Sequence, residues 1–200
     1  MAKAEFMKVV FLDVDGVLNS SRSVLARTGP VWTQEMRWAY DELENLYHDE
    51  FDDLNRLPYG PQFTLDTIDP VAVDLVNRLL RKSDAKLVLS TSHRGYLLPD
   101  GIESYLTPAH RHALNLYFTA MGVMFPVHDC TPKMHVSRGL EVKRWIDAQD
   151  EDVQYVILDD AKEFHPSQPH IWCDPAIGFS AENYFEACKL LGVEESTLIF

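Results

Sequence analysis

Two aspartates one residue apart, Asp13 and Asp15, sit inside the stretch "VVFLDVDGVLNS" (Val9–Ser20). A carboxylate can act as a nucleophile, as a general acid or base, or as a ligand to a hard cation. It can equally cap a turn ahead of a helix. On this stretch alone the two readings weigh about equally, so the surroundings must decide. Val9–Leu12 form an unbroken apolar run before a glycine break, the pattern of a strand buried on both faces. Carboxylates ending such a strand emerge at its carboxyl edge, where open α/β sheets bind ligands. Asp15 lies two positions beyond Asp13, so in an extended chain both point the same way.

Three further β-like runs end in polar groups or lead into them. "KLVLS" (Lys86–Ser90) is followed by "TSHRG", "VQYVILDD" (Val153–Asp160) ends in Asp159 and Asp160, and the weaker "HIWCD" spans His170–Asp174. If these strands are neighbours, Asp13, Asp15, Asp159 and Asp160 gather at one edge. Four carboxylates there would repel one another and raise some of their pKa values, so a cation is close to a physical requirement.

Helical spacing fills the gaps. Asp69–Ser83 carries Val73, Val76, Leu79 and Leu80 on one face, with Pro70 in the first turn. Ser137–Gln149 groups Leu140, Val142, Trp145 and Ile146, and Ser180–Gly192 lies between a serine N-cap and a glycine C-cap. Pro108–Met121 reads as another helix. Strands alternating with helices indicate an α/β fold with a mostly parallel sheet. Residues 20–66 fit that alternation poorly. They hold a helix expected over Thr33–Leu57 and then "PYGP", either a small cap over the carboxyl edge or an acidic helix packed beside the core. The cluster Asp49, Glu50, Asp52 and Asp53 reads as a solvated face.

The 200 residues suit one domain with a modest insertion, expected here at residues 20–66. No apolar run nears the roughly 18 residues that would span a membrane, and the start lacks the apolar segment of a secretory signal. Cys130, Cys173 and Cys188 are odd in number and lack CxxC spacing, which argues against a disulfide framework or zinc knuckle and suits a reducing cytoplasm. The net charge of −13 argues against broad binding along a nucleic-acid backbone. It leaves room for a small phosphorylated substrate, because a bound divalent cation reverses the local field, and for a locally basic groove. His128 near Cys130, and His170 near Cys173, lack the matched second pair of a zinc site. His110 and His112 read as surface or substrate-adjacent groups on their helix. Trp32, Trp38, Tyr40 and Tyr47 read as core, or as stacking groups if the insertion is a cap.

"DVDGVLN", "LSTSHR", "RGLEVKRW" and "VILDD" occur in the order and approximate spacing of the four motifs of the haloacid dehalogenase (HAD) superfamily, which the chain resembles from Val9 to about Gly192. The closer likeness is to small HAD phosphatase-like domains grouped with nucleic-acid repair proteins. The resemblance implies a Rossmann-like three-layer sandwich. It casts Asp13 as the nucleophile that forms an aspartyl-phosphate, and Asp15 as the general acid and base. It implies Mg²⁺ held by Asp13, by the backbone carbonyl of Asp15 and by Asp159 or Asp160, with Asp160 as the direct ligand. Gly16 would let the chain turn beneath the substrate. One of Ser90, Thr91 and Ser92 would bind phosphate; Thr91 is preferred because it directly follows the strand-like run. Arg94 offers an oxyanion clamp, and Arg138 fits the third motif, with Lys133 and Lys143 as alternatives. His93 stands where this branch usually has tryptophan and is expected to be structural. The implied activity is a Mg²⁺-dependent phosphomonoesterase acting on a nucleotide or other small phosphorylated metabolite. The alternatives are a 3′- or 5′-phosphatase of nucleic-acid ends, a phosphotransferase, or a silent binding protein, against which the intact Asp13 speaks.

Overall fold

A computed structural model describes residues 6–26, 29–50, 59–95, 107–134 and 136–195, without the side chains of 47–50, 59–61 and 95. Five strands form one all-parallel sheet: β1 (Met7–Leu12), β2 (Lys86–Leu89), β3 (Val127–Cys130), β4 (Val153–Asp159) and β5 (His170–Trp172), in the order β3-β2-β1-β4-β5. Period-2 alternation divides the central strands between two cores. Val10, Leu12, Leu87, Leu89, Val156 and Leu158 share one apolar cluster. It includes residues of α4 (Pro70–Ser83), α5 (Pro108–Ala120) and α7 (Ala181–Leu190). Val9, Phe11, Val88 and Ile157 share the other cluster with Val142 and Trp145 of α6 (Arg138–Asp147). The Trp145 ring meets Phe11 edge-on at 5.3 Å. Helices therefore cover both faces, giving a Rossmann-like α/β sandwich.

The apolar runs that read as strands are strands, to within two residues at each end. Asp69 caps α4 through a bond from the Val71 N–H, and Ser180 forms a reciprocal capping box with Asn183 on α7. Three elements, β3, α1 (Ser21–Ala26) and α3 (Tyr59–Thr67), had no counterpart in the sequence reading. β3, "VHDC", is a polar edge strand whose Asp129 accepts a 2.7 Å bond from the Trp145 indole, so neither an apolar run nor strict alternation marks it. α3 (Tyr59–Thr67) opens "YGP", where Gly60 and Pro61 read as a loop although Pro is tolerated in a first helical turn. A short α1 (Ser21–Ala26) is stapled by reciprocal Ser20–Ser23 bonds.

The helix expected over Thr33–Leu57 is α2, Gln34–Glu50; residues 51–57 lie outside the described residues, as do Asp52, Asp53 and the side chains of Tyr47, Asp49 and Glu50. α2 packs along α5, with Ala39 and Leu43 buried in the larger core and Glu42 meeting His112 at 3.1 Å. Trp32 meets Tyr40 edge-on, while Trp38 is exposed. Among the described residues no helix is long and apolar enough to cross a membrane.

Candidate active site

The chain leaves β1 toward β2 on one side and returns to β4 on the other. The sheet therefore has its switch point between β1 and β4, where open α/β sheets leave a crevice. Leu12 pairs with Leu158, so Asp13 and Asp159 leave adjacent strands at the same level. The Asp13 N–H donates to Leu158 O at 3.0 Å, and the Ser90 N–H donates to Leu12 O at 2.9 Å. One row of backbone bonds thus brings three of the motifs to one edge.

Asp13, Asp159 and Asp160 can each direct a carboxylate oxygen to within 4.8 Å of the others, the only such cluster among the described residues. Asp13 and Asp159 are buried, while Asp160 is partly exposed. Burial, then the charge of Asp159, pushes Asp13 up to about 6 against the opposing pull of Arg138. Burial also raises Asp159 and Asp160. Hard oxygen donors crowded so that they resist ionisation fit a divalent cation such as Mg²⁺. Arg138, first residue of α6, donates through Nη1 to Asp13 Oδ2, and to Asp159 Oδ2 at 2.8 Å. Burial disfavours its charge, but Asp13 and Asp159 outweigh that and raise its pKa. Gly139 makes this placement feasible: a Cβ there would lie 2.7 Å from Gln168 Oε1 and 2.8 Å from Glu163 O, so only glycine lets α6 start this close to the loop after β4.

Asp15 follows in the loop after β1 with its carboxylate held at both oxygens. Asn19 Nδ2 donates to Oδ1 at 3.0 Å, and His93 Nε2 lies 2.9 Å from Oδ2. The hydrogen bond with His93 is the main reason its pKa is lowered. Gly16 turns the loop at φ +75°, and its N–H donates to Asn19 Oδ1 at 3.0 Å. Thr91 lies against Asp13, its hydroxyl lowering the Asp13 pKa, and also accepts from the His93 N–H at 3.2 Å. Ser90 Oγ is buried without a partner among the described residues, and Ser92 is exposed. The Arg94 guanidinium donates to Thr91 O and to Glu141 Oε2, both at 2.6 Å, in a buried pair that leaves its Nε without a partner among the described residues. Lys133 is exposed, and Lys143 pairs with Asp147 along the outer face of α6. Burial raises the pKa of Cys130, Cys173 and Cys188, so none is an activated thiol.

Asn19, His93 and Glu141 are the residues that sequence reasoning passed over as site components. Asn19 carried a signal, being a short polar side chain three positions after a glycine turn. His93 and Glu141 carried none, because their partners are 78 and 47 residues away.

A parallel switch-point sheet with this carboxylate cluster is the arrangement of a HAD-superfamily domain, and the family comparison places the chain there. The family model described as "HAD domain in Swiss Army Knife RNA repair proteins" matches residues 9–184, and the chain belongs to that family. Membership supports phosphatase-type hydrolase chemistry on a phosphorylated substrate. Comparison with curated proteins and with solved structures returned no match.

Proposed function

We propose that this protein is a Mg²⁺-dependent phosphomonoesterase working through an aspartyl-phosphate on Asp13. The supporting observation is the convergence of Asp13, Asp159 and Asp160 beside Asp15 and Arg138 at the β1–β4 switch point. Asp13, Asp159, Asp160 and the backbone carbonyl of Asp15 would hold the cation, which neutralises charge on the phosphate oxygens.

An Asp13 oxygen attacks phosphorus, and the bond to the leaving oxygen breaks with its electron pair departing on that oxygen. Asp15 delivers the proton that this oxygen requires. A water then attacks the aspartyl-phosphate, Asp15 takes its proton, and the phosphorus–oxygen bond to Asp13 breaks to restore the carboxylate. Arg138, charged and set against Asp13, steadies the negative charge that gathers on the transferring group. Thr91, beside Asp13, supplies a hydroxyl donor to a phosphate oxygen.

Charge alone favours a free nucleotide or other small phosphate ester. The RNA-repair context of the family favours the terminal phosphate of an RNA, and we adopt that substrate with its 3′ or 5′ position open. In this reading the chain is one HAD-like unit with residues 20–66 inserted after β1, and its three unpaired cysteines suit a cytoplasmic setting.

The test is phosphate release from RNA oligonucleotides ending in 3′- or 5′-phosphate, mononucleotides and sugar phosphates, with Mg²⁺ or a chelator, by wild type and Asp13→Asn. Metal-dependent release from an RNA end, lost in the variant, is the expected result. Release from mononucleotides alone would return the substrate to the small-molecule class, and release by Asp13→Asn at the wild-type rate would end the aspartyl-phosphate reading.

A further inference from the structure

Asp15 is the group that must carry a proton out and back, yet its side chain is 56% exposed and nothing in its own loop except Asn19 fixes it. The second anchor comes from the neighbouring strand, β2. His93, in the 3₁₀ turn Ser92–Gly95 after β2, is 1% exposed; Tyr117, on α5, is fully buried. The Tyr117 hydroxyl lies 2.9 Å from His93 Nδ1, and the two rings stack at 6.0 Å with 14° between their planes. His93 Nε2 then reaches Asp15 Oδ2 at 2.9 Å.

An ionised carboxylate only accepts, so Nε2 must carry the hydrogen in this contact. In the neutral ring Nδ1 then accepts from the tyrosine, the arrangement by which a second hydrogen bond sets an imidazole's tautomer and orientation. Oδ2 keeps accepting from Nε2–H whether Asp15 is ionised or protonated, so the proton can move on and off Oδ1 without the carboxyl turning.

We propose that His93, oriented by Tyr117, is a positioning residue that aims the Asp15 carboxyl at the leaving oxygen. The proposal rests on the phosphomonoesterase reading above. Its distinguishing consequence is dependence on the leaving group. An alkyl leaving oxygen needs the Asp15 proton as the ester bond breaks, whereas p-nitrophenolate leaves without one.

The experiment measures kcat/KM, which reports the step releasing the leaving group, for an alkyl phosphate and for p-nitrophenyl phosphate. The proteins are wild type, His93→Leu, His93→Gln, Tyr117→Phe, Asp15→Asn and the His93→Leu/Asp15→Asn double variant, each checked for folding by circular dichroism. His93→Leu is expected to lose about 10²-fold on the alkyl ester, the scale of a general acid, and to stay near wild type on p-nitrophenyl phosphate. Tyr117→Phe, which keeps the buried ring, should shift the same ratio in the same direction by less. His93→Gln, which can still present an N–H to Asp15, should recover part of the loss. The double variant should be no slower than Asp15→Asn alone, because the histidine acts only through that carboxyl.

Equal losses on both esters, or additive losses in the double variant, would overturn the proposal and assign His93 to packing. Wild type inactive on every ester would remove the phosphatase reading and the proposal with it. An NMR spectrum of ¹⁵N-labelled protein gives a check independent of activity: a protected His93 Nε2–H resonance that moves in Asp15→Asn is expected, and its absence from folded wild type refutes the contact.

Discussion

Gly16 shows how narrowly single residues are constrained at the carboxyl edge. Its φ of +75° is one that side-chain-bearing residues rarely adopt, and an added Cβ would lie 2.6 Å from Asp160 Cγ. Gly16→Ala should therefore lower stability by about 1–2 kcal/mol from backbone strain alone. It should also displace Asp160 and weaken Mg²⁺ affinity. Urea denaturation and a Mg²⁺ titration check the two effects, and an alanine variant matching wild type in both would refute the crowding. Asp13 makes a pH prediction whose sign follows from its position. Titrating at about 6 instead of its ordinary 3.8, it keeps its proton in the folded, metal-free protein where the unfolded chain has released it. Its contribution to stability is then full at low pH and lost as pH rises through about 6. In chelator, Asp13→Asn should gain stability relative to wild type over that window, and adding Mg²⁺ should narrow the gap. Denaturation curves of both proteins at a series of pH values test this; a gap independent of pH would contradict it.

The elements around the site are tied together by one buried ion pair. Glu141 of α6 accepts from Arg94 at 2.6 Å through one oxygen and from the Met134 N–H at 2.8 Å through the other. It thereby joins the turn after β2 to the segment leading into α6, the two pieces that carry Thr91 and Arg138. Removing one partner of a buried pair leaves an uncompensated charge, so Glu141→Ala should cost about 3–5 kcal/mol. Replacing both residues by methionine should recover much of that loss. Chemical denaturation of wild type and the two variants decides it, and a double variant as unstable as Glu141→Ala would show that geometry, not the stranded charge, is at stake. The same pair shows why Arg94 is hard to interpret from sequence. An arginine after a strand suits an oxyanion, but here an acid 47 positions on accepts from its Nη2 and the Thr91 carbonyl accepts from its Nη1, in a buried setting.

Across the whole molecule the dominant electrostatic fact is the charge of −13. A phosphorylated RNA end would approach against that field, with little counterion release to drive binding. For an end-phosphorylated oligonucleotide, kcat/KM should hold steady or rise between about 50 and 200 mM salt, where a basic groove would make it fall steeply. A steep fall would mean that a cationic track exists on the surface and would strengthen a nucleic-acid substrate.

The strands β1, β2, β4 and β5, five of the helices and the carboxylates Asp13, Asp15, Asp159 and Asp160 were legible in the sequence, because apolar runs, capping residues and motif spacing are properties of neighbouring positions. Edge strand β3 escaped because its burial is partial and its side chains polar. The tertiary structure alone decided that Asp13 and Asp159 are neighbours, that Arg94 faces Glu141 and that His93 links Tyr117 to Asp15. Those relations depend on strand order and register, which bring residues tens of positions apart to within a hydrogen bond's length, and no local pattern in the chain encodes such a distance.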